Sequence, residues 1–311
     1  MEVNSKQKTA YILQIHKNPE QVNKFIKQLI AGDQADVYVH IDKRNYEQIH
    51  SKLIKNENVK VLDKAIVCEW GDISQVDTTI LLLREVLAAK ENYDFICLRS
   101  GQDLLVRNGF KDVLIKNKKS IFMTLRKVDK RNSGLMEVNW PKITRRRYTS
   151  FHPVRVYRSV VQSFYRKGIN AFPNKNDWPE EYSLFNGAQW FSIPLEVAWY
   201  IIDFIDTNPW YYKYFENTLC PDEWFFHTLI MNSKYKEDVV NNNFMFVNWG
   251  KTLQTRNSPL YLEVNDIKAI EASGQYFARK FDQDIDLKVI DYFTDRVSFE
   301  PMLCKKDEVP G

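Results

Sequence analysis

The chain has 311 residues, 44% of them hydrophobic and 14% aromatic, enough for one large α/β core or two modest domains. Net charge is only +4, and no N-terminal apolar run reads as a signal peptide or a membrane span. The four cysteines (Cys68, Cys97, Cys220, Cys304) show no CxxC or CxxH spacing, which argues against a zinc site or a disulfide frame and for free thiols in a reducing, cytoplasmic setting.

The first hundred residues alternate strands and helices. Residues 9–15 read as a short apolar strand. Asn18 then caps a helix with Pro19 in its first turn, Val22, Phe25, Ile26, Leu29 and Ile30 at helical spacing, and Gly32 as its stop. Residues 37–41 form the second strand, 46–54 a helix, 59–62 a strand, 74–90 a longer helix and 94–98 the fourth strand. Strands separated by helices of this length imply parallel pairing in a doubly wound sheet, with ligands outside the carboxyl ends of the strands. Those ends carry His16, His40, Asp42 and the run Ser100-Gly101-Gln102-Asp103. No G-x-G-x-x-G follows the first strand and no Walker loop exists, so a dinucleotide fingerprint is absent. Taken singly, His16 and His40 read as satisfied core histidines, because His50, His152 and His227 complete no ligand pattern.

Beyond residue 110 a strand is expected at 120–125, a strand at 189–193 and a helix at 195–205. Residues 127–182 show no clean period. From Leu104 to Lys167 there are 17 Lys/Arg against three Asp/Glu, so this segment is strongly basic while the rest of the chain is acidic. Such asymmetry points to an anionic neighbour such as phospholipid headgroups, a phosphorylated acceptor or nucleic acid, unless the charges are simply solvated. Within it Val156, Tyr157, Val160, Val161, Phe164 and Tyr165 recur at helical spacing among arginines: either an ordinary amphipathic helix or an interfacial one on an anionic membrane.

Pro221 opens an apolar helix and sets Asp222 and Glu223 at its mouth, where the helix dipole favours their charged forms. A carboxylate there can act as a general base. On this segment alone, capping is the simpler role. Asn265 or Asp266 caps a short helix that stops at Gly274, and residues 300–311 read as a polar tail.

Five motifs occur in one order: Ile15-His16 followed by Pro19, Val39-His40-Ile41-Asp42-Lys43, Gly101-Gln102-Asp103, Pro221-Asp222-Glu223-Trp224-Phe225-Phe226, and the run from Phe277 to Leu287. Together they resemble the core-2/I-branching β-1,6-N-acetylglucosaminyltransferases and their xylosyltransferase relatives. The resemblance runs from Thr9 to Leu287 with a gap between Lys127 and Tyr182. It implies a GT-A type nucleotide-sugar fold over residues 1–299, with a mostly parallel central sheet flanked by helices and a basic acceptor-side or membrane-side insertion at 127–182. It implies inverting transfer of a sugar, GlcNAc first and xylose next, from a UDP-sugar donor to a glycan acceptor; docking of the basic segment on an anionic membrane adds the expectation of a lipid-linked glycan acceptor. No divalent metal, no other cofactor and no nucleic-acid partner are implied.

Carried over onto this sequence, Glu223 matches the catalytic base, Lys280 and Arg256 the cations on the donor diphosphate, and Asp42 an aspartate on the nucleotide side. Ile15, His16 and Asp103 complete the expected donor side. Trp249, Asp222, Gln102 and Arg145 make up the acceptor side. The late run Asp282-Gln283-Asp284-Ile285-Asp286 resembles a metal motif but lies after Lys280, far from the fourth strand, and is expected to be structural. Cys220 replaces the family's usual serine, and the membrane anchor and disulfides of luminal members are not expected here. A bacterial-type cytoplasmic enzyme of surface-glycan synthesis, peripheral at the inner membrane face, is the resulting expectation. A metal-dependent transferase using the late aspartates and a non-catalytic glycan-binding protein are the alternatives.

Overall fold

The computed structural model describes residues 8–149, 151–250, 252 and 258–300. The strands are β1 (Lys8–Ile15), β2 (Ala35–Ile41), β3 (Val59–Val61), β4 (Tyr93–Ser100), β5 (Asp103–Leu105), β6 (Ile121–Arg126), β7 (Asn186–Pro194), β8 (Val239–Asn241), β9 (Met245–Val247) and β10 (Phe277–Arg279). Seven of them form one sheet in the order β3-β2-β1-β4-β7-β6-β8; β5, β10 and β9 form a second, small sheet.

The first four strands pair in parallel, with Tyr11 of β1 flanked by Val37 and Cys97. The interiors of β1, β2 and β4 are buried on both faces, which is why these strands read as apolar runs and not as alternating patterns. Helices Pro19–Ile30 and Ser74–Ala88 cross between them, as expected. The sheet then changes direction. β7 runs antiparallel to both β4 and β6, while β8 returns parallel to β6. The result is the mixed α/β architecture expected of the chain, a mostly parallel central sheet flanked by helices.

Several local expectations change. Asn18 adopts a left-handed backbone and does not cap its helix; its side-chain amide donates instead to Asp282 at 2.7 Å. The helix expected at 46–54 shortens to one turn, Tyr46–Ile49, followed by a 3-10 turn. Pro221 opens a 3-10 turn, Pro221–Glu223, and the α-helix begins only at Phe225. The tail beyond residue 300 and Cys304 lie outside the described residues.

The aromatic surplus is divided between core and cleft. Trp178, Trp210, Tyr211, Tyr214, Phe215 and Phe225 pack ring against ring beneath the 3-10 turn. The Tyr211 hydroxyl donates to the Phe225 carbonyl at 2.6 Å, tying the first residue of that helix to the cluster. This fixes the carboxylate-bearing turn from below.

Two glycines are required by close approach. A Cβ on Gly101, at the β4–β5 junction, would stand 2.8 Å from Val22 Cγ2 and 3.0 Å from Ile15 Cγ2. A Cβ on Gly187 would stand 1.7 Å from the Thr124 carbonyl oxygen and 2.4 Å from His227 Nε2. Gly187 thus lets β6, β7 and the helix Phe225–Met231 close on one another. Because the obstructing atom is backbone, Gly187→Ala should cost about 3 kcal/mol of unfolding free energy, at the upper end of ordinary overpacking. Urea denaturation would measure it, and a loss under about 1 kcal/mol would contradict the packing described.

Candidate active site

The carboxyl ends of β1, β2 and β4 open into a cleft of about 1170 Å³. Ile15, His16, His40, Asp42, Ser100 and Gln102 line this side, as expected for ligands at the carboxyl edge of a parallel sheet. The opposite wall comes from the antiparallel part of the sheet, with Thr124, Arg126, Gln189 and Trp190, and from the 3-10 turn with Asp222 and Glu223. Val247 at the end of β9 and Trp249 just after it, with Arg279 and Lys280 at the end of β10, close one end.

Glu223 sits where β7 and β6 deliver it. The Asn186 side-chain amide, at the start of β7, donates to the Glu223 carbonyl at 3.1 Å. Arg126, the last residue of β6, donates from Nη1 to Glu223 Oε2 at 3.2 Å. Neither carboxylate of the turn caps a helix, contrary to the simpler expectation. Asp222 has one carboxylate oxygen buried without a hydrogen-bond partner. Burial, then the neighbouring Glu223 charge, raises the Asp222 pKa. Burial also raises that of Glu223, and the Arg126 guanidinium opposes the rise. Beneath them His227 is fully buried, and burial together with Arg126 pushes its pKa down to about 3, so it is neutral.

The other end of the cleft is cationic. Burial, then Arg147, Arg279 and Lys17, pulls the Lys280 pKa down to about 8. Its ammonium lies over the Tyr261 ring, 4.8 Å from the centroid. Arg279 stacks on Trp190 at 4.3 Å and faces Asp103 at 3.5 Å. His16 is held below its ordinary pKa by burial and by Lys17 and Lys280. A site with this many like charges in contact is poised for an anion.

Asp42 is both cap and pocket residue. It accepts from the Arg44 backbone N–H and pairs with the Arg44 guanidinium at 2.7 Å. It also accepts from the Cys68 N–H at 3.1 Å. Burial opposes its ionisation, but these bonds outweigh it and hold the carboxyl below its usual range. His40 is a satisfied core histidine in part: Nε2 accepts from the Ile66 N–H at 2.8 Å.

Two assignments are corrected. Asp103 does not line the cleft. It is fully buried, accepts from the Ser100 N–H at 2.8 Å and the Ser100 hydroxyl at 3.0 Å, and anchors Arg279. Burial raises its pKa. Arg145 is likewise turned inward, pairing with Asp72 at 3.0 Å and donating to the Glu216 carbonyl and to Asn217. Its neighbours Arg146 and Arg147, with Tyr148, line the cleft instead. Arg256 lies outside the described residues. The late acidic run is structural where it is engaged. Asp282 binds Lys17 and Asn18, and Asp286 caps the helix Leu287–Thr294 and accepts from the Val264 N–H at 2.9 Å. Sequence reasoning missed Arg126, Trp70, Arg147 and Arg279, none of which stands in a motif with its partner.

A sequence profile of the Core-2/I-Branching enzyme family matches residues 9–271, and the chain belongs to that family of glycosyltransferases. It is similar to Xylosyltransferase sqv-6 of Caenorhabditis briggsae, 24% identical over 309 aligned positions that span 91% of this chain and 36% of that protein. It is also similar to a xylosyltransferase of Ciona intestinalis, 25% identical over 91% of this chain and 33% of that one. The chain therefore spans about a third of the length of these relatives. Among solved structures, the apo structure of WbbM, a bifunctional glycosyltransferase, aligns with a TM-score of 0.40 at 9% identity, over 90% of this chain and 46% of that one, a general likeness only.

The pairing of Arg126 with Glu223 has a direct test. Arg126→Gln should raise the Glu223 carboxyl pKa further, by about one unit or more, since an opposite charge at this distance lowers a carboxyl by that amount. A side-chain carboxyl NMR titration would read it. An unchanged or lowered value would mean that Arg126 does not set the charge state.

Proposed function

We propose that the chain is an inverting glycosyltransferase that moves a sugar from a UDP-sugar to a hydroxyl of a glycan acceptor, with side-chain cations in place of a divalent metal. The observation that carries this reading is one cleft with a half-buried, arginine-paired glutamate on one wall and a cationic cluster around Lys280 at its end. A cleft of about 1170 Å³ is large enough for a nucleotide-sugar and part of an acceptor.

In this reading Glu223 takes the proton of the acceptor hydroxyl as the oxygen attacks the anomeric carbon from the face opposite the nucleotide. The proton ends on the Glu223 carboxylate, and the glycosidic electron pair leaves with the UDP. The carboxyl's raised pKa makes it a stronger base, and the Arg126 guanidinium opposes that rise by favouring the charged form. Lys280 meets the charge that grows on the diphosphate, with Arg147 near it. Arg256 is proposed as the second diphosphate cation, Asp42, His16 and Ile15 as nucleotide-side residues, and Trp249, Gln102 and Asp222 as acceptor-side residues. A divalent ion is disfavoured by the charge already present: Asp103, the carboxylate after β4, is turned onto Ser100 and Arg279, and the cleft end beside it is cationic.

GlcNAc is the first donor proposed, from the family's name. UDP-xylose is the second, favoured by the xylosyltransferases among the similar proteins. The acceptor is a glycan, free or lipid-linked, of a bacterial surface polysaccharide, built in the cytoplasm at the inner face of the membrane. No helix among the described residues is long and apolar enough to cross a membrane.

Glu223→Gln should lower kcat by about a thousandfold, the middle of the range for general-base loss, while UDP binding by calorimetry stays unchanged. EDTA should leave transfer unaffected. Loss of turnover in EDTA with recovery on adding manganese would overturn the metal-free reading. Lys280 is charged below about pH 8 and neutral above it, so UDP affinity should fall as pH rises through that value. Lys280→Arg should flatten this limb, because a guanidinium stays protonated. A pH-independent affinity in the parent protein would remove Lys280 from the diphosphate.

A further inference from the structure

The helix Pro153–Arg166 has two faces of opposite fate. Inward, Arg158 is buried, its guanidinium 5.6 Å from the Trp70 ring and 5.7 Å from the Tyr148 ring. Trp70 and Tyr148 both line the cleft, so this helix stands on the rim of the proposed active site. Outward, Val156, Tyr157, Val160 and Phe164 are exposed, at positions that share one side of a helix.

The apolar surface continues beyond the helix. Phe151, two residues before its start, is 85% exposed. The chain folds back after it, with the Ile169 N–H donating to the Phe164 carbonyl at 3.0 Å and Phe172 packing on Tyr157 with ring centroids 6.5 Å apart. Ile169 is 55% and Phe172 46% exposed. Large side chains exposed singly need no explanation, but a run of them on one helix face and its adjoining loop marks an interaction surface.

The charge around this surface names its occupant. Residues 138–176 contain nine Lys/Arg and no Asp/Glu. Lys142, Arg146, Arg166, Lys167 and Lys175 are exposed. An apolar stripe bordered mainly by cations, with Glu137 beside Tyr165 at its inner edge, suits a bilayer of anionic lipid, where the stripe enters the acyl boundary and the cations meet the headgroups. A second copy of the chain suits it poorly, because a two-fold interface would set two surfaces of the same positive charge against each other.

We propose that the outer face of the helix Pro153–Arg166, with Phe151, Ile169 and Phe172, docks on an anionic lipid bilayer and seats the cleft mouth at the headgroups. That the membrane there presents a lipid-linked acceptor rests on the glycosyltransferase reading; the docking itself does not.

Flotation with vesicles tests it, using phosphatidylcholine alone and phosphatidylcholine with one phosphatidylglycerol in every four lipids. The protein should float with the anionic vesicles at low salt and detach as salt rises, since a Debye length of about 30 Å at 0.01 M shrinks to about 3 Å at 1 M. The triple variant Val156→Glu, Val160→Glu, Phe164→Glu should lose about tenfold or more of the bound fraction, with its thermal unfolding and its turnover of UDP-sugar on a water-soluble acceptor unchanged. The exposed charge-reversal pair Arg166→Glu, Lys167→Glu should weaken binding in the same direction without touching the apolar stripe. Equal flotation with neutral vesicles, no flotation at low salt, or a lipid-independent dimer that the triple variant dissolves would each overturn the proposal. Absent vesicle binding with turnover intact removes the surface and leaves the reaction; vesicle binding without turnover on any acceptor does the reverse.

Discussion

Two adjacent carboxylates in a partly shielded turn repel each other and lose hydration, which raises their pKa values unless a cation is brought close. In this protein the cation is Arg126, and the rest of the site follows from getting it there. Arg126 ends β6, which reaches the cleft only because β7 runs antiparallel between β4 and β6. That pairing in turn depends on Gly187, whose missing side chain lets β7 lie against Thr124 and His227. The aromatic cluster around Tyr211 and Phe225 then holds the turn from below. One ion pair thus draws on a reversed strand, a glycine and a packed core.

The cleft separates its charges along its length. The carboxylate wall holds Asp222 and Glu223, and the far end holds Lys280 among Arg147, Arg279 and Lys17. Mutual repulsion at the cationic end makes each of those groups a stronger partner for an incoming anion than an isolated surface cation would be. The cost falls on stability, and the fold offsets part of it by anchoring Arg279 on Asp103 and Trp190 and Lys17 on Asp282. The buried aspartates are in this sense the supports of the cationic end, not its ligands.

The basic segment between β6 and β7 joins two roles. Its inner side supplies Arg146, Arg147 and Tyr148 to the cleft, and its outer side presents an apolar, cationic helix. Arg158 connects the two by stacking between Trp70 and Tyr148. Anything that seats on the outer face is therefore within one side chain's reach of the cleft rim.

The amino-acid sequence by itself determined the parallel half of the sheet and marked a residue on each side of the cleft, Glu223 and Lys280. Doubly buried strands leave continuous apolar runs, and helices of fitting length between them allow only parallel pairing. Glu223 and Lys280 were legible because each sits in a run of neighbours that matches a family pattern. Whether β7 runs with or against β4 was not legible, because a buried strand has the same composition in either direction. The partnership of Arg126 with Glu223 spans 97 positions and leaves no local trace. Among Arg145, Arg146 and Arg147 the sequence offers no periodicity, so only the packed structure shows that the first pairs with Asp72 while the other two face the cleft. Asp103 misled for a related reason: a carboxylate at a strand end serves a ligand or the fold according to its burial, and burial is a property of the assembled layers. Local pattern fixes which elements form; which side chains meet across them is set by tertiary packing, where distant residues first come within bonding distance.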